Sequence, residues 1–168
     1  VVSIATNRIV NLRKIEPSKR ALKLARRYSL EPEFVELILR ESEKIYGGVE
    51  KAILTIKNGI LTVNAGIDHK NAPKGFAALW PSNPQVEADK LRRQIETKTG
   101  RKIGILIVDS EVSPLRLGTR GFALAISGFK PIRDYRDERD IYGRKILITL
   151  HSIADDLASA AHAVMGES

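Results

Sequence analysis

Residues 52–66 read AILTIKNGILTVNAG. Two arms rich in aliphatic and β-branched residues flank Asn58-Gly59, the dipeptide that best suits a type I′ turn, in which both central residues need a positive φ. This is the pattern of an antiparallel hairpin. A hairpin set among helical segments points to an α+β fold with mixed sheets and packed helices, not to a regular βαβ series.

Working outward, residues 32–46, PEFVELILRESEKIY, predict a helix with Phe34, Leu37, Ile38 and Ile45 at helical spacing, stopped by Gly47-Gly48. Before it, Glu16-Pro17-Ser18 opens a helix whose apolar side carries Leu22, Leu24, Ala25 and Tyr28. Two β-like runs come first, VVSIAT at 1–6 and RIVNLRKI at 8–15. Beyond the hairpin, residues 83–100 read as a helix closed by Gly100. KIGILIVDS, 102–110, is apolar enough to predict a central strand. GFALAISGF, 121–129, and RKILITL, 144–150, read as further strands. Residues 152–165 form a small-residue helix suited to close packing on a sheet or a partner helix. Between these, PIRDYRDERDIYGRK, 131–145, alternates Arg and Asp like a salt-bridged surface loop.

A chain of 168 residues suits one domain or two small ones. No cysteine is present, so disulfides and thiolate metal sites are excluded, and a cytoplasmic protein is expected. No apolar run approaches the roughly 20 residues of a membrane span, and no signal peptide is read. The net charge of +8 calls for anionic partners. With only 5% aromatic residues there is little for bases to stack on, so phosphorylated small molecules are favoured over nucleic acid. The many charged residues, the single Met and the absent Cys fit a thermophile.

Two aspartates follow apolar runs: Asp68 after VNAGI, and Asp109, with Ser110, after ILIV. Carboxylates at neighbouring strand ends offer hard oxygen ligands for Mg²⁺ or Mn²⁺, ions that commonly bridge nucleotide phosphates. The simpler alternative is that each aspartate starts a turn or caps a helix. SPLRLGTRGF, 113–122, supplies Arg116 and Arg120 among glycines, as candidates for phosphate or carboxylate contacts; an ordinary solvated loop is the alternative. There is no P-loop and no GxGxxG. His69, His151 and His162 lack zinc spacing, and no serine has a hydrolase elbow.

VNAGIDHKNAP, the long stretch from DSEVSPLRLGTRGF to DIYGRK, LWPSNP and IADDLASAAHAVMGES together resemble the gamma-glutamyl ligase family of the deazaflavin coenzyme F-420. The resemblance implies an enzyme that uses GTP and Mg²⁺ or Mn²⁺ to add L-glutamate to the phospholactyl carboxylate of a phosphorylated deazaflavin precursor. An acyl phosphate would be the intermediate. It also implies the family's unusual α+β fold, an archaeal source and a homodimer. By position, Asp68, Asp109 and Ser110 match metal ligands, and Asn71, Gly166 and Glu167 match nucleotide-binding positions. Residues 1–168 would then be one ligase domain without the family's N-terminal and C-terminal extensions. The Ser-Lys loop that the family carries before RIVNLRKIEPS has no counterpart, so a loop is expected to be missing between residues 7 and 8. Two alternatives are a homologous ligase with another acceptor and a non-catalytic module for nucleotide or RNA.

Overall fold

The structure, a computed structural model, describes residues 8–166. The strand expected at 1–6, the Asn7–Arg8 junction and Glu167 lie outside the described residues. Helices and small antiparallel sheets mix as the hairpin reading requires, so the chain is α+β. The described residues fall into two compact units: 8–82 with Glu111–Gly118, and 83–110 with 119–166.

In the first unit β1 (Ile9–Asn11) leads through a 3-10 turn at Leu12–Lys14 to α1 (Lys19–Tyr28). Ser18 caps α1 by accepting from the Ala21 amide, and Ser29, in the left-handed region, ends it. α2 (Pro32–Glu41) packs beside α1. Then β2 (Lys44–Val49), β3 (Ala52–Lys57) and β4 (Ile60–Val63) form a three-stranded antiparallel sheet. The Asn58-Gly59 turn is as expected: φ is 52° and 74°, and Lys57 pairs with Ile60. The helix expected over 32–46 stops at Glu41. Residues 44–49 instead pair with β3, and Gly47-Gly48 serves that pairing, not a helix end. The register shifts between Ile45 and Gly47, and a Cβ on Gly48 would lie 2.2 Å from the Ala52 carbonyl oxygen. β5 (Phe76–Ala78) pairs with β1. Tyr28, Phe34, Val35, Ile38, Ile53 and Leu79 are among the residues of one continuous apolar core.

The second unit opens with α3 (Pro84–Thr99), which Asn83 caps; the Gly100 closure is as expected, with that residue left-handed. β6 (Ile105–Val112) pairs with β7 (Thr119–Ser127). Among the described residues β6 pairs with β7 alone, so the central place its apolarity predicts is not seen among them. β8 (Ile132–Asp134) pairs with β9 (Leu150–Ser152), and α4 (Ile153–Met165) follows. The strand expected at 144–150 forms only at its last residue, Leu150, where β9 begins. Before Leu150 the stretch is an irregular arm that faces residues 135–140 through scattered backbone bonds, the Tyr135 amide to the Thr149 carbonyl and the Asp137 amide to the Ile146 carbonyl among them, with one isolated bridge, Arg139 to Lys145. The loop reading of 131–145 holds in part: Ile132–Asp134 are β8, and beyond them the loop is salt-bridged, Asp134 to Arg136 and Asp137 to Lys145. Arg136 holds Asp134 down to a pKa of about 2. The small-residue helix α4 packs on β7. A Cβ at Gly121 would meet the Ala158 carbonyl oxygen at 2.5 Å, and the Ser159 hydroxyl donates to the Gly121 carbonyl.

Candidate functional site

The chain reaches Asp68 through three successive residues of left-handed conformation, Asn64, Ala65 and Gly66, with φ of 51°, 55° and 63°. Such a backbone costs about 1–2 kcal/mol at a non-glycine residue, and local partners offset it. The Asn64 carboxamide oxygen accepts from the Ile53 amide at 2.8 Å. The Ala65 amide donates to the Thr55 hydroxyl, which itself donates to the Thr62 carbonyl. Gly66 has no alternative side chain, since a Cβ there would sit 2.1 Å from the Trp80 indole. The strand therefore ends at Val63, not at the aspartate. Asp68 resumes extended structure in a bridge to Ala78, exchanging both backbone hydrogen bonds at 2.9 and 2.8 Å. None of Thr55, Asn64 and Trp80 was singled out from the sequence. The local signal for the turn is the Asn64-Gly66 pair of turn-forming residues, and its partners are distant in the chain.

The Asp68 carboxylate is half-buried. One oxygen accepts from the amides of Lys70 and Asn71 at 2.8 and 3.1 Å, the other from the Asn71 side chain at 2.8 Å. This is the turn-starting aspartate of the simpler reading. Two residues matched to different roles, Asp68 and Asn71, are thereby brought together. A carboxylate has about four lone-pair sites, so three hydrogen bonds leave acceptor capacity. His69 stacks on Phe34 with ring centroids 5.1 Å apart.

Asp109 and Ser110 belong to the second unit and lie inside β6, which runs on to Val112 alongside β7. The expectation that the strand ends at Asp109 is corrected by that pairing. Consecutive strand residues point to opposite faces, so the two side chains leave β6 on opposite sides; one Asp109 carboxylate oxygen accepts from the Ser110 amide. Arg116 is exposed in the turn between β6 and β7, where its amide donates to the Ser113 carbonyl. Arg120 is exposed on β7. Gly166 closes α4, its amide donating to the His162 carbonyl at 2.9 Å.

Among the described residues no three His, Asp or Glu side chains gather into a metal-holding group. The donors at both aspartates are hard oxygens, which fit Mg²⁺ or Mn²⁺ in kind; an ion of this type usually takes one or two carboxylates and completes its shell with water and phosphate. The clearest charge cluster is elsewhere in the first unit. Lys57, 5% exposed, donates to Glu41 at 2.7 Å; Arg8 donates to the same carboxylate at 2.6 Å and to the Trp80 carbonyl at 3.0 Å. Burial pushes the Glu41 pKa up, but these two cations more than offset it, and the net shift is downward.

No helix among the described residues is long and apolar enough to cross a membrane. The F420-0:Gamma-glutamyl ligase family model matches residues 1–168. The coenzyme F420:L-glutamate ligase of Methanopyrus kandleri is 40% identical over 169 residues, covering 100% of this chain and 67% of the relative. Those of Archaeoglobus fulgidus and Methanothermobacter thermautotrophicus are 39% and 38% identical, covering 99% and 100% of this chain and 67% of each relative. With a match that runs through both units and both aspartates, the chain belongs to the F420-0:Gamma-glutamyl ligase family and is a ligase.

Proposed function

We propose that the chain adds L-glutamate to the phospholactyl carboxylate of the coenzyme F-420 precursor, using GTP and Mg²⁺ or Mn²⁺, through an acyl phosphate. The observation that carries this reading is the full-length family match together with relatives named as glutamate ligases. A carboxylate does not condense with an amine unaided. Transfer of the γ-phosphoryl group to a carboxylate oxygen releases GDP and makes the acyl carbon electrophilic. The glutamate amine then bonds to that carbon, phosphate leaves with the oxygen, and the ammonium proton passes to solvent. The divalent ion supplies charge neutralisation on the triphosphate. On this reading Asp68 of the first unit and Asp109 of the second, with Ser110 as a lesser candidate, are the candidate ligands for it. Asn71 fixes the Asp68 carboxylate and contacts the nucleotide, to which Gly166 and Glu167 also belong. Arg116 and Arg120 meet phosphate or carboxylate oxygens.

The active form is proposed to be a homodimer. The support is the arm at 141–150, where Ile141, Leu147, Ile148 and Leu150 are all more than half exposed, more apolar surface than a free arm needs.

The test is Asp109→Asn and Asp68→Asn, each assayed for glutamate addition and for thermal stabilisation by GTP with and without Mn²⁺. Loss of turnover by at least a hundredfold, and of the Mn²⁺-dependent shift, with the metal-free melting temperature unchanged, is expected. Retained activity in either variant removes that aspartate from the mechanism. Salt-sensitive RNA binding without any GTP response would replace the ligase reading by a binding module.

A further inference from the structure

The charge of this chain is concentrated. Residues 13–27 hold seven basic side chains against the single carboxylate of Glu16, which makes +6 of the net +8. Five of the seven, Lys19, Arg20, Lys23, Arg26 and Arg27, are exposed on α1. At 3.6 residues per turn they fall within an arc of about 120°, opposite the buried Ala21, Ala25 and Tyr28. Among the described residues none of the five is paired with a carboxylate; Arg27 lies over the Tyr28 ring. Five like charges on one helix face repel one another, so an unoccupied face of this kind is a standing cost.

We propose that this face of α1, continued by Arg13 and Lys14, binds an oligo-γ-glutamyl chain, the polycarboxylate that repeated glutamate addition to one acceptor builds. The proposal rests on the ligase reading. Each addition consumes one carboxylate of the acceptor and brings two with the glutamate, so the acceptor gains one negative charge per round. A surface that retains it must offer regularly spaced cations and no apolar insertion. The position suits this. The Leu12 amide donates to the Gly75 carbonyl at 2.9 Å, and a Cβ on Gly75 would lie 3.5 Å from the Arg13 guanidinium. Gly75 ends the loop that begins at Asp68 and carries exposed Lys70 and Lys74. Cations thus run within one unit from the Asp68 loop through Arg13 and Lys14 onto α1. A bilayer is disfavoured, because the apolar side of α1 is already in the core. RNA is disfavoured, because the exposed face has no aromatic ring to take a base.

The probe is fluorescein-labelled penta-γ-L-glutamate, read by anisotropy against the full chain at low salt. The variant carries Lys19→Gln, Arg20→Gln, Lys23→Gln and Arg26→Gln, which keep helix propensity. Binding by the wild type, weakened about tenfold or more in the variant and by added salt, is expected from loss of four screened contacts. No binding, or equal binding by the variant, overturns the proposal, as does tighter α1-dependent binding of a ten-nucleotide oligo-U. In the assay with precursor, the variant should add the first glutamate at the wild-type rate while products with two or more glutamates decline; an unchanged product ladder overturns the proposal. A wild type that adds no glutamate yet binds the pentamer through α1 defeats the ligase reading and leaves the surface standing.

Discussion

The two units close in different ways. The first fills volume: Tyr28, Phe34, Val35, Ile38, Ile53 and Leu79 interlock between two helices and two small sheets. The second closes by proximity. Its apolar cluster is Ala88, Ile105 and Ala125, with Leu91, Ile95, Ile103 and Ile107 partly buried around it. Its helices come close to β7 because the facing residues are small, Gly121 against Ala158 and Ala125 beside Ala88. Polar bonds complete the contact. The Ser127 hydroxyl donates to Asp89 at 2.5 Å and accepts from Arg92 at 2.7 Å, and Arg92 also donates to Glu96. The Ser127 bond holds the Asp89 pKa down. Large side chains that a fuller core would absorb stay on the surface of the 141–150 arm. A unit built this way is economical within itself but leaves apolar area to be covered elsewhere.

The sharpest way to break this comparison is a matched pair of core truncations. Ile38→Ala, at a site with no exposure, should cost about 4 kcal/mol, and Ile105→Ala about 2 kcal/mol. Denaturant unfolding that gives equal losses would show the two cores to be equivalent. Next in size is Glu41→Gln, which leaves Lys57 and Arg8 without their counter-charge and should cost about 3 kcal/mol. It carries a pH signature. Because the folded pKa of Glu41 is lowered, its contribution is present above the usual carboxylate range and is lost as pH falls through the folded value. The variant should therefore lose less stability than the wild type on acidification; parallel curves would remove Glu41 from the acid response. Smallest in stability is the double change Leu147→Ser and Ile148→Ser, expected to move unfolding by no more than about 0.5 kcal/mol while shifting light scattering from the proposed dimer to a monomer. A large loss of stability would mean the arm is core after all.

Legibility followed locality. The Asn58-Gly59 turn, the helix start at Glu16-Pro17-Ser18 and the Gly100 stop each depend on neighbours within a few residues, and each is readable. Residues 44–49 were not, because Ile45 satisfies helical spacing as well as strand alternation, and only pairing with β3 decides between them. The 144–150 run is apolar enough to read as a strand, yet its backbone bonds to residues 135–140 are too irregular to make one before Leu150. At the candidate site, Asp68 could be picked out together with its turn-forming alternative. Its approach through a left-handed turn could not, since that depends on Trp80, fourteen residues further on. Asp109 looked terminal because Ser110 and Glu111 are polar, yet β7 carries the strand past them.

Trp80 gives the molecule a gauge of its own. It is the only tryptophan in the chain, its indole fills the space Gly66 leaves open, and the Lys57 ammonium sits 5.2 Å from its ring centroid. Intrinsic fluorescence excited at the tryptophan band therefore reports on one unit alone, at the turn that leads into Asp68, with a nearby cation to make its emission sensitive to small displacements. Circular dichroism sees the helices of both units. If the two melt apart, the two signals will part company, and the emission will follow the Asp68 turn without any label being attached.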